Sequence, residues 1–321
     1  MSSQQMLLGG AAKGTDINIY IPGKFGTDDE VAASGSYPGG NLRGATVAVY
    51  WANATKDYYS GAGIANQFKE SDFTRVGDGI LKFKLVAGVY VIYAKSGDGS
   101  GSYHGEGRTM QGELTLSSDT DLLLLIPNHG CGSYAAGGGF FLIAGTDYTS
   151  TSNTPLLILG GGGGGYGGTN NWVLSGSLST NLTQSRLGPS SGTSGLYDGG
   201  ASWKDEYTVE KYGTDGVASA AQNFTSGGRG GYMNCSHYGG FGGGGGGCPG
   251  GAGGLFGGYP GTDTHSGGGY GASQGGGGGR SYYNSSYITT ISGQYGGAMD
   301  NTNYQAQNVD KNGYFGIYGP T

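Results

Sequence analysis

The chain has 321 residues, of which 76 are Gly and 25 are Tyr, with 12% charged residues and a formal charge of −6. Glycine arrives in blocks without a G-X-Y period and with only 8 Pro, which excludes collagen; 12% aromatics and recurring apolar segments exclude a disordered low-complexity chain. Sixteen scattered Lys and Arg supply no basic field for a nucleic-acid backbone, and no window approaches the roughly 18 apolar residues of a membrane span, so neither nucleic-acid binding nor membrane insertion is expected.

Residues 1–14, MSSQQMLLGGAAKG, are small and largely uncharged; they lack the basic start and apolar stretch of a secretory signal and read as an N-terminal arm. DINIYIPG then alternates as a strand, with Ile17, Ile19 and Ile21 on one face. Further strands are expected at 44–53, 79–88 and 89–97; in the second of these Leu81, Phe83 and Leu85 alternate with Lys82 and Lys84, the pattern of one buried face. IANQFKESDF, at 64–73, is the short-helix candidate, being almost the only stretch there without Gly or Pro. Residues 15–96 thus read as a small β-sandwich, a docking domain, and residues 97–321 as a second, glycine-rich domain. Within the second, GELTLSSDTDLLLLIPNHG reads as strand, turn and strand, the SSDTD cluster supplying side-chain-capped turn chemistry. GGFFLIAGTDYTSTSNTPLLILGGGGGG reads as a hairpin-like pair whose second strand runs into a glycine block, and NGYFGIYGPT closes the chain as a last strand.

The glycine blocks are the unusual feature: Gly160, Gly161, Gly162, Gly163, Gly164 and Gly165; then Gly242, Gly243, Gly244, Gly245, Gly246 and Gly247; then Gly275, Gly276, Gly277, Gly278 and Gly279. Either they are water-bonded linkers, or they are packed and every N–H and C=O finds a partner. Glycine's packed solution is an extended threefold helix of the polyproline II kind, with about 3.1 Å rise per residue and no internal hydrogen bonds, so neighbouring segments must bond laterally. Aromatic and aliphatic insertions at Leu255, Phe256, Tyr259 and Tyr270 favour packing, because linkers lack such anchors. The expectation is an all-β chain, an N-terminal β-sandwich followed by a jelly-roll-like domain carrying packed polyglycine II helices.

Catalytic and metal-binding patterns are weak. GASQG at 271–275 fits a nucleophile elbow, but that elbow needs a strand before it and a helix after it, and this one is embedded in glycine. His104, His129, His237 and His265 sit in Gly-, Ser- and Asn-rich stretches without a metal-ligand spacing, and Asp28, Asp29, Asp205 and Glu206 read as solvated carboxylates. No enzyme activity, metal or cofactor is expected. Of the three cysteines, either all are small buried thiols or Cys235 pairs with Cys248 and leaves Cys131 free. Five glycosylation sequons stand at Asn53, Asn181, Asn223, Asn234 and Asn284 and matter only in a eukaryotic secretory setting. Tyr166, Trp172, Tyr197, Trp203, Tyr238 and Tyr259 lie in or beside glycine segments; they either form a binding surface of the Tyr/Gly/Ser/Asn type or cover the glycine bundle.

The succession GELTLSSDTDLLLLIPNHG, PLLILGGGGGGYGG and CSHYGGFGGGGGGCPGGAGG resembles the glycine-rich extracellular domain of the anaplastic lymphoma kinase and leukocyte tyrosine kinase receptors. That resemblance implies a jelly-roll-like sandwich with a polyglycine bundle, and by matching position a Cys235–Cys248 pairing. The first 14 residues are instead similar to the starts of phage virion proteins, and polyglycine bundles also occur in tail-tip adhesins of T-even-like phages. The function expected is that of a non-enzymatic virion protein, a fibre, spike or decoration subunit engaged in host attachment. Its partners would be other virion proteins, further copies of itself and a host surface glycan or protein; it would be assembled in the host cytoplasm. The alternative is an extracellular ligand-binding module of receptor type.

Overall fold

The computed structural model describes residues 17–22, 50–51, 73–77, 79–101, 104–132, 134–165, 178–183, 199–204, 217–219, 221–233, 237–246, 250–259, 261, 275–292 and 311–319. These residues are strands joined by turns and irregular chain, with one 3-10 turn at Phe224–Ser226, and no helix among them is long and apolar enough to cross a membrane. The strands are β1 (Ile17–Pro22), β2 (Tyr50–Trp51), β3 (Thr74–Val76), β4 (Ile80–Leu85), β5 (Gly88–Lys95), β6 (Thr109–Leu116), β7 (Thr120–Leu125) and β8 (Phe140–Ala144). They continue as β9 (Thr154–Leu159), β10 (Leu178–Ser179), β11 (Val217–Ser219), β12 (Tyr232–Met233), β13 (His237–Tyr238), β14 (Ser281–Tyr283), β15 (Ile288–Ser292) and β16 (Tyr314–Gly319). The helix candidate at 64–73 lies outside the described residues except for Phe73.

Two sheets carry the fold. The first has six strands in the order β15-β6-β5-β16-β1-β2, the second seven in the order β10-β14-β9-β8-β7-β4-β3, and a small third sheet joins β11, β12 and β13. Alternation places the side chains. On β4, Leu81, Phe83 and Leu85 are buried while Lys84 is exposed, as their spacing requires. One hydrophobic cluster joins these three to Tyr90, Ile92 and Ala94 of β5, Leu114 and Leu116 of β6, Leu122 and Leu124 of β7, and Phe315 and Ile317 of β16, so it draws on both sheets. The intervening residues Leu123 and Leu125 of β7, Phe141 and Ile143 of β8 and Ile158 of β9 enter a second cluster with Trp203, Phe224, Phe241 and Leu255. The second sheet is therefore apolar on both faces, which explains why β7 reads as an unbroken leucine run. Each fully buried leucine of that run contributes about 1.5–3 kcal/mol.

The connectivity corrects two readings of the sequence. Residues 15–96 are not a separate sandwich: β4 pairs with β7, and β5 pairs with β6 and with the C-terminal β16. The SSDTD segment is not a hairpin turn, because β6 belongs to the first sheet and β7 to the second. It crosses between sheets beside the β4–β5 crossing, where Asp119 accepts from the Ala87 N–H at 3.1 Å and pairs with Lys84 at 3.2 Å. The β8–β9 pair is an antiparallel hairpin, as its sequence reads.

Strand direction sets where the glycine goes. β5, β7 and β9 end, and β6, β8, β14 and β16 begin, at one common end of the two sheets. The segments 96–100, 127–131, 134–139, 160–165 and 275–280 are the continuations of these strands, and they meet there.

Candidate functional site: a glycine layer at the strand ends

Segment 160–165 leaves β9 as extended chain and is buried throughout. Its bonds change partner in a fixed rotation. Gly161 and Gly164 donate to Gly253 and Gly250; Gly162 and Gly165 donate to Gly97 and Ser100. Its carbonyls repeat the pattern: Gly160 and Gly163 accept from Arg108 and Gly105, and Gly161 and Gly164 accept from Gly279 and Gly276. Each partner segment is thus met again three residues later, and Gly162 also accepts from Gly137, which brings in segment 134–139. The same spacing recurs between other segments: Gly97 and Ser100 donate to Gly138 and Ala135, Gly250 and Gly253 donate to Tyr134 and Gly137, and Ala136 and Gly139 donate to Gly245 and Gly242.

Such an arrangement tolerates no side chain. A Cβ on Gly162 would stand 1.9 Å from the Gly105 carbonyl oxygen, and one on Gly164 would stand 1.8 Å from that of Tyr134. The second glycine block behaves differently at its start. Residues 241–243 form a turn, with φ of +102° at Gly242 and +80° at Gly243, and only then does the chain run extended through Gly244, Gly245 and Gly246. The turn drops the Phe241 ring into the cluster on the outer face of the second sheet. The third block, 275–279, is buried and extended and docks on both 160–165 and 250–258. Gly247 lies outside the described residues.

Of the aromatic residues read either as a binding surface or as cover for the glycine bundle, Trp203 and Tyr238 are buried. Trp203 stacks on Phe224 at 5.6 Å between ring centroids, and Lys204 caps it, its Nζ 5.1 Å above the ring and donating to the Thr151 carbonyl at 2.6 Å. Tyr238 stacks on Tyr232 at 4.9 Å with the Cys131 side chain packed beside them. Tyr259 is half-buried, its carbonyl accepting from Gly277. Tyr166, Trp172, Tyr197, Cys235 and Cys248 lie outside the described residues. Cys131 carries a free thiol, whose pKa burial pushes up.

A polar seam that the sequence reading missed joins this layer to the sheets. Lys95 Nζ and Asp98 Oδ2 form an ion pair at 3.0 Å, their side chains 11% and 8% exposed, and Asp98 Oδ1 accepts from the Gly107 N–H at 2.7 Å. Burial raises the Asp98 pKa, against the pull of Lys95, the Gly107 hydrogen bond and His104. Asn128 and Asn312, distant in sequence, are both buried, and Asn312 Oδ1 accepts from the His129 N–H at 2.9 Å. Ser96 Oγ donates to the Gly160 carbonyl at 2.6 Å and accepts from the Arg108 N–H at the same distance. The signal for the seam was KSGDGS, where a lysine and an aspartate three apart stand directly at a strand end.

Among the described residues no group of three His, Cys, Asp or Glu is placed to hold a metal. Residues 271–274 of GASQG, the carboxylates Asp28, Asp29, Asp205 and Glu206, and His265 lie outside the described residues. His104 is half-buried with its Nδ1 bonded to the Gly101 carbonyl at 2.7 Å, and His237 contributes to the third sheet through its backbone. Of the sequons, Asn181 is exposed, whereas Asn223 is 4% exposed, caps the 3-10 turn by accepting from the Ser226 N–H at 2.7 Å, and donates to the Lys204 carbonyl at 2.6 Å. No protein-family model matches this chain, and no curated protein sequence aligns with it significantly.

Proposed function

We propose that this chain is a non-enzymatic structural protein of a phage virion, a fibre, spike or decoration subunit that takes part in host attachment. In this reading the two sheets form a jelly-roll-like sandwich, and the glycine segments form packed polyglycine II helices that give the molecule a stiff end. The observation that carries the reading is the third-residue rotation of hydrogen-bond partners around 160–165, which is the symmetry of an extended threefold helix. A layer built this way is filled by backbone and leaves no interior for substrate or side-chain chemistry. What it offers is a rigid platform, and the Tyr-, Ser- and Asn-rich stretches between its segments suit adaptable recognition at low entropic cost.

The receptor-type alternative draws on the same glycine pattern. It requires sequons that an oligosaccharide can reach: Asn181 is exposed, whereas the Asn223 side chain is closed off by hydrogen bonds to Lys204, Thr225 and Ser226. Mass spectrometry of gradient-purified phage particles whose genome encodes this chain tests the proposal. Its peptides should co-sediment with the particles, without glycans at Asn181 or Asn284. Recovery solely as a free glycoprotein would overturn it.

A further inference from the structure

We propose that Phe241 is the register mark of the glycine run around it, the positioning residue that fixes which glycine occupies which place. Residues 239–247 read GGFGGGGGG, so every residue but one is the same. Identical residues carry no positional information. A segment whose side chains do not tell neighbouring places apart is prone to slippage, as glycine-rich strands are, unless something outside the repeat holds it.

The fold nevertheless gives each place in the run its own partners. Gly239 and Gly240 donate to Gly231 and Ala136, Gly242 and Gly243 both donate to Gly228, Gly244 donates back to Gly240, and Gly245 donates to Gly251. In return, Gly139 donates to the carbonyl of Gly242, Ala201 to that of Gly243, Gly231 to that of Gly244 and Ala136 to that of Gly245. The bend falls at Gly242 and Gly243, where φ is +102° and +80°. All of these bonds are made by backbone, so any glycine can make them. Slipped by one residue, places 242–246 would still be filled by glycines, Gly243 to Gly247.

Phe241 breaks this equivalence twice. Its Cβ is tolerated at place 241 and at neither neighbour: a Cβ at place 240 would run into the Asn128 carbonyl oxygen, and one at place 242 into that of Gly139. The Asn128 oxygen cannot simply step aside, since it accepts from the Gly138 N–H at 3.1 Å. Place 242 also carries a φ that a residue with a side chain adopts only under strain. The ring adds a seat of its own. It is fully buried in the cluster with Leu125 and Phe224, and it lies over Gly228, whose missing Cβ would stand 3.8 Å from its Cε2. Gly228 is the residue whose carbonyl holds the bend, so ring and bend are fixed at one point. The two contributions separate by substitution. The ring supplies stability, while the Cβ alone blocks a slip by one place in either direction.

Proton–nitrogen correlation spectra of the full chain, with nitrogen-15 in glycine only, test the assignment. The parent chain and Phe241→Ala should each show one resonance per glycine amide, the Ala variant unfolding at a lower urea midpoint because the ring is lost. In Phe241→Gly the amides of the run should split into several sets, together with those of Gly139 and Gly231 that bond to it. Gly161, Gly162 and Gly164, which continue from β9, should stay single. One set in Phe241→Gly overturns the proposal, and so does splitting in Phe241→Ala equal to that in Phe241→Gly. Should Phe241→Gly not fold, a glycine inserted after Gly247 in the parent chain asks the same question: with Phe241 in place the Gly139 and Gly231 resonances should not move, and their displacement or splitting overturns the proposal equally.

Discussion

At the scale of single residues, the glycines of 160–165 act as core residues whose contribution is the absence of a side chain. Gly162 shows why. A Cβ there would fall 1.9 Å from the Gly105 carbonyl oxygen, and Gly105 is itself tied by its N–H to the Gly163 carbonyl at 2.9 Å, so the obstructing atom belongs to a held backbone. Gly162→Ala should therefore cost more than the usual 1–3 kcal/mol of overpacking, roughly 3 kcal/mol or above, although alanine normally stabilises extended chain by narrowing the unfolded ensemble. Urea unfolding with an unchanged slope would read this as a lowered midpoint; a midpoint equal to or above the parent's would show that the segment is free to move aside. Packing of glycine was legible in the sequence from the aromatic anchors around it. The polar seam was not, because Lys95 closes an expected strand while Asp98 and His129 stand in Gly-, Ser- and Asn-rich stretches, and only the crossing of distant segments brings them together.

At the scale of elements, the longer strands were legible because each carries its own pattern, alternation in β4 or an unbroken apolar run in β7. Leu81, Phe83 and Leu85 announced their face, and the expected strand at Ile17, Ile19 and Ile21 is β1, where these residues register with Gly319, Ile317 and Phe315 of β16. Sheet membership was not legible. Nothing local in GELTLSSDTDLLLL distinguishes a hairpin from a crossing between sheets, and the compositional change near residue 97 does not mark a break in hydrogen bonding, since β5 lies between β6 and β16. That topology gives the C-terminal strand an importance its position in the chain conceals. β16 is flanked on both sides, by β1 and β5, and buries Phe315 and Ile317 at 1% and 2% exposure. A chain ending at residue 312 should lose about 1.5–3 kcal/mol for each of these side chains, together with both ladders, and detach β1 and β2 from the rest of the sheet. Limited proteolysis and near-UV circular dichroism should report loss of cooperative structure; an unchanged unfolding midpoint would mean that β16 is dispensable.

At the scale of the whole molecule, the question is whether the glycine layer stands by itself or leans on the sheets. Its backbone hydrogen bonds each contribute about 0.5–1.5 kcal/mol net, while ordering a glycine costs more conformational entropy than ordering any other residue. With little apolar side-chain area of its own, the layer gains its margin from anchors such as Phe241 and Leu255, which sit on the outer face of the second sheet with Leu123 and Leu125, and from strands that run directly into it. Layer and sheets should then form one cooperative unit. The amides of Gly161, Gly162 and Gly164 should exchange as slowly as those of β7, although these glycines belong to neither helix nor sheet. Leu124→Ala, which empties a site in the other cluster between the two sheets, should cost about 2–5 kcal/mol and lower the protection of the glycine amides by the same free energy as that of the strands. Glycine amides that exchange at unprotected rates, or that ignore the Leu124 substitution, would show instead a separate layer resting on an independently stable pair of sheets.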